Sequence, residues 1–210
     1  ALPIDTSKGK VKVNLLGYCA YNPVYSGSGS GSIKAGSRTD FKTSLANAGF
    51  EVNPAVEQAG FYKAEEKSGI AASVSSLVPS FDQKEVSLDK FTGNTSFDNM
   101  KKYSDIAIVV LGRNAGEGQD LDTYKSVDGR RYLQLSVNEE NLLKQARKTF
   151  SKLIVVVNSA NALEMGGLNA IGADAIISTG IPGAHGLDAF GKILNLSLIH
   201  ISEPTRHSLI

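Results

Sequence analysis

Four short aliphatic runs constrain this chain more than any other feature. Residues 11–16 (VKVNLL) alternate and then break at Gly17, whereas residues 106–111 (IAIVVL) and 153–157 (LIVVV) are continuously apolar; residues 175–178 (AIIS) form a shorter run of the same kind. Runs apolar on both sides suit strands covered on both faces, the situation of a parallel sheet. Helical stretches lie between them. Residues 40–48 (DFKTSLANA) end at Gly49, a natural helix stop. Ser136 and Glu139 have the spacing of a capping box, which predicts a helix running to about Phe150 with Leu142, Leu143 and Ala146 inward. Pro182 predicts the first turn of another, reaching about Leu194. Alternating strand and helix predicts an α/β fold: a doubly wound, mostly parallel sheet flanked by helices and joined by right-handed crossovers. Residues 65–93, rich in Ser, Lys and Asp, read as a surface excursion with short strands of its own.

Composition narrows the functions such a sheet can carry. At 210 residues, 41% of them hydrophobic, the chain is one domain or slightly more. Twenty-two basic against 21 acidic residues leave no electrostatic footprint for nucleic acid or an anionic membrane. No window approaches the roughly 20 consecutive apolar residues of a membrane-spanning helix. Cys19 is the single cysteine and reads as a small core residue; His185, His200 and His207 are too few and too badly spaced for the common zinc sites. We therefore expect no metal and no cofactor. Chemistry is left to carboxylates, hydroxyls and backbone groups. A chain beginning at Ala1 is expected to be a fragment.

In an open α/β sheet, ligands sit outside the carboxyl ends of the strands. Four polar or Gly-rich loops fall there: 25–32 (YSGSGSGS), 112–120 (GRNAGEGQD), 158–161 (NSAN) and 179–186 (TGIPGAHG). The first has neither the register of a dinucleotide fingerprint nor the Gly-Lys of a P-loop, and reads as a loop with close backbone approach to a ligand. In the second, Gly116 and Gly118 isolate Glu117, with Arg113, Asp120 and Asp122 close in sequence. A partly desolvated carboxyl near like charge has a raised pKa and can act as a general acid near neutral pH; an ordinary solvated acidic loop is the other reading. Asn158 and Asn161 read as sugar-hydroxyl ligands or, with more weight, as helix caps. His185 reads as structural.

Five segments in order carry a family resemblance. NPVYSGSGSGSI resembles the G-G-T-G-S-G segment of glycoside hydrolase family 3, and VVLGRNAGEGQD its R-x-x-G-E-G-x-D segment. YLQLSVNEENLL, KLIVVVNSANALEM and TGIPGAHGLDAFGKIL resemble its later segments, so the likeness spans roughly residues 2–195. It implies the family's (α/β)6-sandwich domain, truncated here at its C-terminal end. It also implies part of a retaining β-glycosidase, most often a β-glucosidase. Such enzymes use two carboxylates about 5 Å apart, one nucleophile and one acid/base. By this resemblance Glu117 is the acid/base and Ser30 bonds the bound sugar; Arg113 and Asp120 fall at substrate-binding motif positions. The nucleophile belongs to a (β/α)8 barrel of the same polypeptide, absent from these 210 residues, so the chain alone is expected to be inactive. Ser26 and Ser28 depart mildly from the family's first loop.

After Asn195 the family pattern breaks off. LSLIHISEPTR resembles the translation of a transposase sequencing adapter, so residues 196–210 are expected to be a non-native tail after a domain at 1–195. Two other readings of the residues stay open: a non-catalytic carbohydrate-binding or scaffolding module of the same fold, and a nucleotide-binding α/β domain of flavodoxin-like outline.

Overall fold

The computed structural model describes residues 2–27, 33, 36–63, 85–114 and 129–196. Five strands lie among them: β1 (Val11–Leu16), β2 (Phe50–Val52), β3 (Ile106–Arg113), β4 (Lys152–Ser159) and β5 (Ala175–Ser178). They form one sheet in the order β2-β1-β3-β4-β5, and every pairing is parallel. The central pair is the longest, from Ile106 beside Lys152 to Arg113 beside Ser159. Among the described residues, seven helices accompany the sheet: α1 (Tyr18–Tyr21), α2 (Phe41–Asn47), α3 (Ala55–Ala59), α4 (Phe97–Tyr103), α5 (Val137–Thr149), α6 (Met165–Ile171) and α7 (Phe190–Leu194).

The apolar runs are continuous because the sheet is covered twice. Ala107, Val109 and Leu111 of β3, with Leu153, Val155 and Val157 of β4, face a core shared with Met100 of α4, Leu142, Leu143 and Ala146 of α5, and Leu168 of α6. The alternate residues, Ile108, Val110, Ile154 and Val156, face Phe41 and Leu45 of α2 and Phe190 and Leu194 of α7. Each fully buried Val, Leu, Ile or Phe stabilises the fold by about 1.5–3 kcal/mol. The second layer closes tightly at Gly191, where a Cβ would run into the Ser44 carbonyl of α2. Gly17 has a different reason to be glycine. It turns the chain out of β1 with φ +97°, and a Cβ there would collide with the Val110 carbonyl.

The predicted boundaries of the strands at 11–16 and 175–178 hold, and β3 and β4 extend the predicted runs at their ends. Asp40 caps α2 by accepting from the Thr43 N–H at 2.6 Å. The Ser136–Glu139 capping box forms in full. Three expectations need correction. The three-residue β2 was not foreseen; FEV is too short to show a period. The last helix does not begin near Pro182: the Gly186 N–H returns to the Pro182 carbonyl in a turn, a 3₁₀ turn follows at Gly186–Ala189, and α7 starts at Phe190. The far end of the 65–93 excursion is no surface strand, because residues 88–90 and 93–95 are 3₁₀ turns and Glu85 and Phe91 are buried; residues 64–84 lie outside the described residues.

One polar residue breaks the apolar run of β1 for a local reason. Asn14 is fully buried and donates to the Met100 and Ser104 carbonyls at the end of α4, at 3.1 and 2.9 Å, while accepting from Asn53 at 2.8 Å. It serves the Ser104 carbonyl just past the helix end and adds a second donor to the Met100 carbonyl, which also accepts from the Ser104 N–H at 3.0 Å.

Candidate active site

The strand order places a topological switch point between β1 and β3, since the chain turns from β1 toward one edge and from β3 toward the other. The crevice at the carboxyl ends of these two strands is the expected ligand position. The segments that follow these strands in the sequence carry the Gly-Ser repeat and Glu117. Ser30, Glu117 and Asp120 fall outside the described residues.

Arg113 ends β3 and is buried, its side chain 1% exposed. Its Nε–H donates to the Tyr132 carbonyl (2.8 Å). Nη1 donates to the Gly112 carbonyl and Glu139 Oε1 (both 2.7 Å), and Nη2 to the Gln134 carbonyl (2.7 Å) and Glu139 Oε2 (2.8 Å). A guanidinium has five N–H donors, and all five are engaged inside the fold. No donor is left for a sugar, so the geometry makes Arg113 a scaffold group. Glu139 Oε2 also accepts from the Ser136 N–H at 2.8 Å, so one carboxylate closes the capping box of α5 and receives the arginine fork. Next to it, the Tyr132 hydroxyl accepts from the Asn114 N–H and donates to the Asn114 carbonyl, both at 2.9 Å.

The other loop roots are tied together too. Asn158, at the end of β4 and fully buried, accepts from the Val24 N–H (2.7 Å) and donates to the Val24 and Gly180 carbonyls (3.0 and 2.8 Å). It neither caps a helix nor faces outward; it binds the roots of two neighbouring loops. The Gly183 N–H donates to the Tyr25 carbonyl, and the Thr39 N–H to the Ala184 carbonyl. Arg38 donates to the Ile33 carbonyl and lies over the Tyr25 ring. His185 is exposed, 3.7 Å from Asp188. Among the described residues, two buried side-chain atoms lack a hydrogen-bond partner, Arg38 Nε and Asn114 Oδ1. One flanks the Gly-Ser loop and the other adjoins residue 115.

Sequence reasoning missed Glu85. Its carboxylate is buried beside the turn after β1, accepting from the Tyr18 N–H (2.9 Å), the Tyr62 hydroxyl (2.6 Å) and the Val86 N–H (3.0 Å). Burial pushes its pKa up to about 7, the charge of Glu139 adding to the rise while these hydrogen bonds oppose it. Burial, with Glu139 and Glu85 nearby, likewise pushes the thiol of Cys19, packed against the edge of the core, up to about 12, which makes it inert. Nothing in the 65–93 composition marks Glu85 as buried. Among the described residues, no three His, Cys, Asp or Glu side chains gather as a metal site, and no helix is long and apolar enough to cross a membrane.

A parallel sandwich with its polar loops rooted at one edge is the architecture of a sugar-processing family. The chain belongs to glycosyl hydrolase family 3, the sequence description of whose C-terminal domain matches residues 1–195. A β-glucosidase of Ruminococcus albus is 36% identical over 74 residues, 35% of this chain and 7% of that protein. The fold is similar to β-glucosidase 3B from Thermotoga neapolitana in complex with glucose, 19% identical at a TM-score of 0.69 over 94% of this chain and 26% of that one. It is also similar to a β-glucosidase from Paenibacillus barengoltzii, 23% identical at 0.68 over 92% and 20%. At these identities the structural likeness is one of fold. The chain spans about a quarter or less of the length of these relatives.

Proposed function

We propose that residues 1–195 are the sandwich domain of a retaining β-glycosidase, most simply a β-glucosidase, and that they supply its general acid/base, Glu117. The observation that carries this reading is the family match across 1–195, with β3 ending at Arg113 and N-A-G-E-G-Q-D following it in the sequence. Relatives named as β-glucosidases support the substrate class. The nucleophile is assigned to a (β/α)8 barrel in the same polypeptide. As that carboxylate attacks the anomeric carbon, Glu117 gives its proton to the leaving oxygen; it then takes a proton from water as the covalent glycosyl-enzyme is hydrolysed. Ser30 and Asp120 are assigned to sugar binding. Residues 196–210 are assigned no part in the domain, in keeping with a family match that ends at 195.

The test is Glu117→Gln in the full-length enzyme, assayed on an aryl β-glucoside with a good leaving group and on an alkyl β-glucoside. Loss of the proton donor should lower kcat/KM by about 10²–10⁴ on the alkyl substrate and far less on the aryl one. Azide should restore turnover with formation of a glycosyl azide. Retained turnover on both substrates would overturn the assignment and favour a non-catalytic sugar-binding module.

A further inference from the structure

The ion pair of Arg113 and Glu139 and the hydroxyl of Tyr132 sit at both ends of residues 115–128, the segment that carries Glu117. On the outgoing side, the last residue of β3 is Arg113 and the next is Asn114. On the returning side are Tyr132, Gln134 and the first turn of α5. The arginine fork joins the two sides through the Tyr132 carbonyl, the Gln134 carbonyl and both oxygens of Glu139. The Tyr132 hydroxyl joins them again by holding both backbone groups of Asn114. Arg130 pairs with Glu140, and Arg131 with Glu164 at 2.6 Å, fixing the returning stem to α5 and to the residue before α6.

A buried ion pair is a poor way to gain stability, since apolar residues of similar size often do as well or better. What it provides is direction. Five engaged donors on a planar fork, with the fork held by a carboxylate already fixed by a helix cap, leave the stems little freedom to shift. A misplacement of about 1 Å of a reacting group can cost about 10²-fold in rate.

We propose that Arg113, Glu139 and Tyr132 are positioning residues: they lock residues 113–114 to the stem at 132–139, and through these stems they act on the acid/base chemistry assigned to Glu117. The inference rests on the acid/base assignment of Glu117 and gives it a support that the family motif alone does not describe. It also separates Arg113 from the sugar.

The experiment uses the full-length enzyme with Tyr132→Phe, which removes one hydroxyl and leaves the ion pair intact, and Arg113→Lys, which keeps the charge and loses the fork. Glu117→Gln is run beside them. Tyr132→Phe should lower kcat/KM on an alkyl β-glucoside about tenfold while changing it less than about twofold on a dinitrophenyl β-glucoside, whose departure needs no proton. It should also move the alkaline limb of the pH profile, which reports the general acid. Arg113→Lys should show the same split, more strongly. A structural role alone would lower the melting temperature and scale both substrates equally. If Glu117→Gln shows the leaving-group split and a folded Tyr132→Phe keeps parental rates and pH profile, the positioning role is overturned and the acid/base assignment stands. If Glu117→Gln keeps full turnover on both substrates, the assignment falls and the positioning role falls with it.

Discussion

Raising the pH from about 5 to about 9 should weaken this fold through one side chain, Glu85. Its carboxyl is buried and is more easily kept neutral in the folded chain, where its pKa is about 7, than at the ordinary value of 4.5. The folded state therefore holds the proton more tightly than the unfolded state. The resulting stability is present in full below about 4.5, shrinks as the pH rises, and is gone once the pH passes about 7. The distance from 4.5 to about 7, at about 1.4 kcal/mol per pH unit, gives about 3 kcal/mol in total. Glu85→Gln isolates this contribution. The amide cannot accept from the Tyr18 N–H, the Tyr62 hydroxyl and the Val86 N–H together, because one of its two ends is a donor. That loss is a constant offset of about 1 kcal/mol at every pH. Urea unfolding of the 210-residue chain and its variant, followed by circular dichroism from pH 5 to 9, reads the difference. The parent should lose about 2–3 kcal/mol relative to Glu85→Gln across that range. A difference that stays flat would refute the reasoning and show the carboxylate to be solvated.

Two further outcomes test the packing. Gly17→Ala should cost more than about 3 kcal/mol or prevent folding, since it combines φ +97° with a Cβ driven into the Val110 carbonyl; Gly166→Ala, in α6 with open space around it, should instead stabilise by about 0.5–1 kcal/mol, and equal effects in chemical denaturation would contradict the close approach. With its pKa near 12, the Cys19 thiol should resist a disulfide reagent at pH 8 in the native chain and react at once in urea. Prompt labelling without denaturant would place it outside the core.

Much of the sheet was legible before any coordinates, because apolar continuity and period are local properties. The four runs became strands, and the Ser136–Glu139 spacing marked the start of α5 to the residue. The helix capped by Asp40 and stopped at Gly49 could be read the same way. Elements shorter than a period were not readable: β2 exists because its three residues find a partner in β1, and α7 starts late because the chain first turns at Pro182.

The sequence by itself determined the family and the parallel sandwich, since both are written in residue order and spacing, and it is the source of the proposal for Glu117. Only the tertiary structure decided what the buried polar groups do. Arg113 looked like a sugar ligand from its motif position, yet its five donors point inward; Asn158 looked like a cap or a ligand, yet it ties Val24 to Gly180. Glu139 was visible as a helix cap, and its second task of receiving the Arg113 fork was not. The physical reason is range. A cap or a strand is decided among near neighbours in sequence, whereas the partner of a buried charge is set by which elements the fold brings together.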